Sequence, residues 1–211
     1  MQTDKPGTAQ DIGCGASISG EQEPYSYQQL EHFQVPQGFR GRSKIYVQLW
    51  WLVQATLFAL SPQAMYGWRA WLLRLFGARI GRRTIIRPSV KIPYPWKLTI
   101  GDYSQIGDEV HLYTYGEIEI RDRVVVSQRS YICTGSHDYT SPTFDLFAKK
   151  IVIEAETWVA MDVFIAPGVT IGRGAVVGAR SSVFHDVPPG TISVGTPAKV
   201  VGKRTMRSDN R

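Results

Sequence analysis

The chain has 211 residues, 43% of them hydrophobic and 20% charged, with a formal net charge of +6. That is enough apolar material for one main core with an appendage, and too much for a disordered chain. Two cysteines, Cys14 and Cys133, stand far apart in unlike surroundings, which excludes a disulfide scaffold and suits a reducing, cytoplasmic compartment.

Residues 1–40 read as a flexible tail and linker, dominated up to about residue 24 by Gly, Ser, Thr, Gln and Pro. Ile12-Gly13-Cys14 faintly resembles a lipidation site, but no apolar stretch precedes it, so no signal peptide is expected. Residues 41–79 form a basic, tryptophan-rich extension. Within it Ser61-Pro62 predicts a helix cap followed by proline in the first turn, giving helices over 43–60 and 62–76. The apolar run Leu49–Leu60 is twelve residues, too short to cross a bilayer. From Arg40 to Ile100 there is no Asp or Glu, against eleven Arg and Lys. Two readings fit that bias: peripheral contact with an anionic membrane, on its inner face, or packing on the end of the next domain or on a neighbouring subunit. No nucleic-acid motif accompanies the charge, so a nucleic-acid partner is not expected.

Residues 80–190 carry a six-residue beat. Aliphatic anchors stand at Ile80, Ile86, Ile92, Ile100, Ile106, Leu112, Ile120, Val126 and Ile132, then at Ile153, Val159, Ile165, Ile171, Val177 and Val183. The residue four places after each anchor is small or β-branched, Trp96 excepted. A period of six belongs neither to a helix nor to a plain strand, and it predicts a solenoid whose repeats bury one another. Three hexads make a triangular coil, so the anchors predict a mainly β fold, a parallel β-helix of about five coils. Extra residues follow Ile92, Leu112 and Ile132, always after the third hexad, so they project from one corner. The longest is a loop over 138–152, and residues 191–211 form a C-terminal segment.

Of the four histidines, His137 opens that long loop, and Glu117 occupies the same column one coil earlier. Stacked coils would bring them about 5 Å apart, a general base with its orienting carboxylate. A histidine that merely pins the loop is the plain alternative. No tetrahedral set of His and Cys is evident, so no metal is expected.

Several motifs resemble the hexapeptide-repeat acyltransferases: Ile171-Gly172-Arg173-Gly174-Ala175, Ile165-Ala166-Pro167-Gly168-Val169-Thr170 and the closing Val194-Gly195-Thr196-Pro197-Ala198-Lys199. Thr134-Gly135-Ser136-His137 occupies the place of the catalytic histidine in the O-acetyltransferase branch. The leader Val47-Gln48-Leu49-Trp50-Trp51, with Arg87-Pro88-Ser89-Val90-Lys91 and Tyr94-Pro95-Trp96-Lys97, is most similar to the colanic-acid-type exopolysaccharide acetyltransferases. That resemblance covers about residues 35–204.

It implies a left-handed helix, a homotrimer with sites between protomers, and acetyl transfer from acetyl-CoA to a sugar or lipid-linked oligosaccharide. Trp158 would border the thiol, Ala160 and Ala179 would offer backbone contacts, and Lys199 and Lys203 would lie near the phosphates. Tyr113, Tyr115 and Asp138 would line the acceptor pocket, where Gly107 replaces the family's asparagine. The alternatives are a xenobiotic or amino-sugar acetyltransferase and a non-catalytic β-helical scaffold.

Overall fold

In the computed structural model, which describes residues 27–206, the hexad beat closes into a three-faced parallel β-helix. Each anchor pairs with its equivalent one coil on. The first face stacks Ile80, Ile100, Ile120, Ile153 and Ile171. The second stacks Ile86, Ile106, Val126, Val159 and Val177. The third stacks Leu112, Ile132, Ile165 and Val183, with Lys91 bridging His111 at its start. These anchors share one core, and each aliphatic buried in it contributes about 1.5–3 kcal/mol relative to exposure. Beyond the five expected coils there is a shorter sixth turn, in which Val187 bridges Ile171 and Ser193 pairs with Val177. Lys199–Lys203 then folds back antiparallel on Thr191–Val194 and covers the last edge of the second face.

The fifth place of the hexad is small because it is buried at the turn, and its hydroxyls join coils. Ser104 donates to the carbonyl of Arg121 (2.7 Å), Ser130 to Ala160 (2.8 Å) and Thr157 to Gly172 (3.2 Å). The fourth place has a character that the hydrophobic pattern does not reveal. Arg83, Tyr103, Glu109, Arg123, Arg129, Glu156, Asp162 and Arg180 all adopt left-handed backbone, with φ between 51° and 64°. Non-glycine residues seldom do so, and here the tight corner imposes it. Their side chains point outward and pair between coils, Arg123 with Glu156 (3.0 Å) and Arg129 with Asp162 (2.8 Å).

The first helix, α1 (Lys44–Val53), runs on into a π-helical turn, Gln54–Phe58. The second, α2 (Tyr66–Leu75), starts four residues later than the Ser61-Pro62 signal predicts. Arg69 explains the difference. Its side chain is wholly buried, and its guanidinium draws the Ser61 hydroxyl and the Pro62 and Gln63 carbonyls around itself, bending that segment away from helix. Its Nε donates to the Ile86 carbonyl at 2.6 Å, so α2 is fastened to the first coil. Desolvation pushes the Arg69 pKa down.

Trp50, Phe58, Leu73 and Phe76 fill the open end of the prism, and Trp50 Nε1 donates to the Ile92 carbonyl at 2.7 Å. The inner helix faces therefore pack on the solenoid end. Ile45, Leu49, Leu52, Leu57 and Leu60 on the other side stay exposed. No helix among the described residues is long and apolar enough to cross a membrane.

Residues 27–40, read from sequence as part of a loose linker, lie along the solenoid instead. The Gln29 amide donates to the Pro142 carbonyl (2.7 Å), Trp96 Nε1 to Arg40 (2.7 Å) and Lys97 Nζ to Phe39 (2.6 Å). The tail expected over residues 1–26, Cys14 included, falls outside the described residues, as do residues 207–211.

Replacing Arg69 with alanine strands the three backbone carbonyls that Pro62, Gln63 and Ile86 present to it. Arg69→Ala should lower unfolding stability by about 3 kcal/mol, read by chemical denaturation. A loss below about 1 kcal/mol would show that the guanidinium does not hold α2 to the solenoid.

Candidate active site

The three insertions converge on the corner between the third and first faces. The first is the 3₁₀ turn Pro95–Lys97, the second a turn after Tyr113, and the third a hairpin of Gly135–His137 against Leu146–Ala148. Two buried threonines stack inside this corner. Thr114 Oγ1 accepts from the Tyr94 amide (2.8 Å) and Thr134 Oγ1 from the Gly116 amide (2.7 Å), tying each insertion to the next. Tyr115 stacks on Tyr113 at 4.0 Å and on Tyr94 at 5.5 Å, with the Phe39 edge at 5.1 Å. A Cβ at Gly135 would stand 3.0 Å from the Tyr115 Cβ, so any larger residue here would press on the tyrosine stack. Beneath the aromatics the Lys97 ammonium donates to the carbonyls of Phe39 and Tyr115, and burial pushes its pKa down.

His137 ends the outgoing strand of the hairpin, half-buried. Its Nδ1 lies 2.7 Å from the carbonyl oxygen of Phe144. A carbonyl can only accept, so Nδ1 carries the proton, and in the neutral ring Nε2 is left as a bare lone pair. The imidazole lies flat on the Phe144 ring, 4.3 Å away at 10°, with Phe33 tilted against it at 5.7 Å. Phe144 sits at φ 52° in a tip held by Asp138 and Asp145. Asp138 accepts from the Thr140 hydroxyl (2.6 Å) and amide (2.9 Å), and Asp145 from Ser141 and Thr143.

The expected column of Glu117 and His137 is broken. The chain leaves the coil at the hairpin and rejoins at Ile151, whose amide donates to the Glu117 carbonyl (3.0 Å) and which pairs with Ile118. Lys150 therefore takes the place above Glu117, its ammonium 3.9 Å from that carboxylate. No ion pair joins Glu117 to His137 among the described residues. The orienting acceptor is the Phe144 carbonyl, which no column count could reveal.

Trp158, Ala160, Ala179, Lys199 and Lys203 belong to a different side of the prism. Trp158 lies on the second face, half-exposed, with Nε1 donating to Ser127 Oγ (3.0 Å). Ala160 is buried, its N–H bonded to the Val177 carbonyl (2.9 Å) and its carbonyl to Ser130, so its amide is not free to contact a cofactor. Ala179 is exposed, as are Lys199 and Lys203 on the returning strand of that same face. The hairpin hangs from the corner opposite this face, so one protomer does not bring His137 and Trp158 together.

The expected acceptor residues divide in the same way. Tyr113 and Tyr115 meet, and burial drives the Tyr113 phenol strongly up and that of Tyr131 beside it to about 12. Asp138 instead serves the loop tip. Phe33, Phe144, Lys97 and the paired threonines carry no site role in the sequence reading. Phe33 and Phe39, with Leu30 and Val35 beside them, were an available signal that this linker packs on something.

No family model matches the chain. It is 61% identical over 177 residues to a relative from Escherichia coli K12 named as a colanic acid biosynthesis acetyltransferase, WcaF, covering 84% of this chain and 97% of that one. It is 37% identical over 114 residues to a protein of Mycobacterium tuberculosis named as an acetyltransferase, covering 52% and 38% of the two chains. A hexapeptide-repeat acetyltransferase from Vibrio cholerae, solved with acetyl coenzyme A, superposes with a TM-score of 0.70 at 27% identity, over 77% of this chain and 89% of that one. A galactoside acetyltransferase solved with coenzyme A shares the fold, with a TM-score of 0.70 at 22% identity over 82% and 85% of the chains.

The bonds from Thr140 hold the Asp138 carboxyl below its ordinary 3.8. A carboxylate with a depressed pKa stabilises the tip above the unfolded value and loses that contribution as pH falls through the folded one. Amide protection of residues 138–145, corrected for intrinsic exchange, should thus stay level from pH 7 to 5 and fall below 3.8. Asp138→Ala should abolish the step, and a step that survives it would assign the tip's order to other groups.

Proposed function

We propose, on the premise that this chain belongs with WcaF to the hexapeptide-repeat acetyltransferases, that it moves an acetyl group from acetyl-CoA to a sugar hydroxyl in exopolysaccharide biosynthesis. The observation that carries the assignment of the base is the hydrogen bond from His137 Nδ1 to the Phe144 carbonyl. With that tautomer held, Nε2 takes the proton of the acceptor hydroxyl as the hydroxyl oxygen attacks, and the Phe144 carbonyl supports the imidazolium that results. Acetyl-CoA, when bound, supplies the thioester. The Cys133 thiol donates to the Gly135 carbonyl and burial pushes its pKa up, which favours direct transfer over an acyl-cysteine.

Trp158 is the candidate border for the thiol end of the cofactor, with Ala179 beside it and Lys199 and Lys203 toward its phosphates. In support, the Lys199–Lys203 strand lies three strands from Trp158 along the second face. That is about 14 Å, the reach of an extended pantetheine arm in order of magnitude. Since His137 projects from the corner opposite that face, the site becomes complete when the hairpin of one protomer meets the second face of another. A closed threefold ring satisfies this for every copy, which supports a homotrimer. Tyr113 and Tyr115 are the acceptor residues that this reading keeps.

On this reading, His137→Ala lowers kcat by a factor of about 10²–10⁴, measured as thiol release from acetyl-CoA with a sugar acceptor. Glu117→Gln leaves kcat within about twofold, because that carboxylate faces Lys150. Turnover unchanged in the first variant would remove the base, and a large loss in the second would restore the carboxylate.

Peripheral binding to an anionic membrane is the second part of the proposal. Its support is the row of exposed Ile45, Leu49, Leu52 and Leu60 within a stretch that has no acidic residue. The full chain should float with phosphatidylglycerol vesicles and not with phosphatidylcholine vesicles, and Leu49→Ser with Leu52→Ser should abolish flotation. Equal flotation by wild type and double variant would end this part.

A further inference from the structure

Beside the catalytic corner, the third face carries a groove of about 650 Å³ between the helical extension and the solenoid. Its floor includes Ile92, Tyr94 and Tyr113, and its wall is Trp51, Ala55 and Ala59. The wall residues stand four apart, so they form one stripe of the helix. Trp51 Nε1 donates to the Pro93 carbonyl, which leaves the indole face as apolar lining. His111 also lines the groove, and desolvation together with Lys91 pushes its pKa down, so the ring is uncharged at neutral pH. The charged lining residues, Lys91 and Glu109, are both exposed.

Such walls offer a ligand hydrocarbon contact and almost no hydrogen bonds. Two observations indicate which hydrocarbon. First, the stripe formed by Ile45, Leu49 and Leu52, each at least 49% exposed, adjoins the groove wall, since Leu52 follows Trp51 by about 100° around the helix. Leu52 and Ile45 thus lie on the side of the helix next to the groove wall, with the exposed Gln48 between Trp51 and Leu52 around the helix. Second, the segment from Arg40 to Ile100 carries cations and no acid, which is complementary to an anionic lipid surface and unfavourable toward a second copy of the same basic segment.

The groove also leads toward the chemistry. Its Tyr94–Tyr115 end abuts Gly135, two residues before His137. We propose that this groove holds the hydrocarbon chain of a lipid whose head bears the sugar acceptor, so that the hydroxyl reaches His137 from a membrane-anchored carrier. The acceptor clause rests on the acetyl-transfer reading above, whereas the binding of a hydrocarbon chain does not.

The test uses the full chain and alkyl β-glucosides of six to nine carbons, kept below their micellar concentrations, with binding read by calorimetry. Wild-type affinity should rise about three- to fourfold per added methylene. Ala55→Trp, which fills the groove, should flatten that dependence while its melting temperature stays near wild type. Ala59→Trp is the second filling variant should the first unfold. A flat wild-type series, or an equal slope in the filled variants, would overturn the groove. Competition of equal strength by phosphatidylglycerol vesicles lacking sugar would overturn the acceptor assignment and leave an ordinary lipid site. Thiol release with a short soluble sugar, measured separately, reports on acetyl transfer itself, so failure of either idea is recognised apart from the other.

Discussion

Aliphatic side chains stacked in register along three faces set the position of everything else in this protein. Each coil contributes its inward residues to a column that neighbouring coils complete, so the prism is rigid at the corners and tolerant only where the chain may bulge outward. One corner receives all three bulges. There, buried threonines and a tyrosine stack build a platform, and the hairpin bearing His137 stands on it.

Rigidity explains why a backbone carbonyl orients the imidazole. The hairpin tip is fixed by Asp138 and Asp145, each accepting from side chains of the same turn. Phe144, in left-handed backbone, then presents its carbonyl to Nδ1 and its ring to the imidazole face. A carboxylate in that position would stabilise the imidazolium more strongly. A carbonyl fixes the tautomer with less bias toward the charged ring. Phe33 joins from a segment far away in the chain, so the N-terminal strap and the hairpin order each other.

Much of the architecture was legible because a period of six admits few structures. The anchors from Ile80 to Val183, the three faces and the common corner of the insertions all follow from spacing. What spacing could not give was local departure from the lattice. Glu117 and His137 share a column only if the chain stays in the coil, and the hairpin takes it out before His137 is reached. Ser61-Pro62 reads as a helix start until the buried Arg69 claims the same carbonyls. The left-handed fourth place lacks a compositional signature, since arginine, tyrosine, glutamate and aspartate all occur there.

His137 and the second face lie on opposite sides of the prism in one chain, so on the proposed function a neighbouring copy would supply the missing half. Within the chain, the decisive quantity is the tautomer of His137. Nitrogen-15 shifts of the labelled imidazole in the full-length protein, at a pH where the ring is neutral, measure it directly. A protonated, amine-like Nδ1 and an unprotonated Nε2 are the expected result. The reverse pattern, with the proton on Nε2, would contradict it.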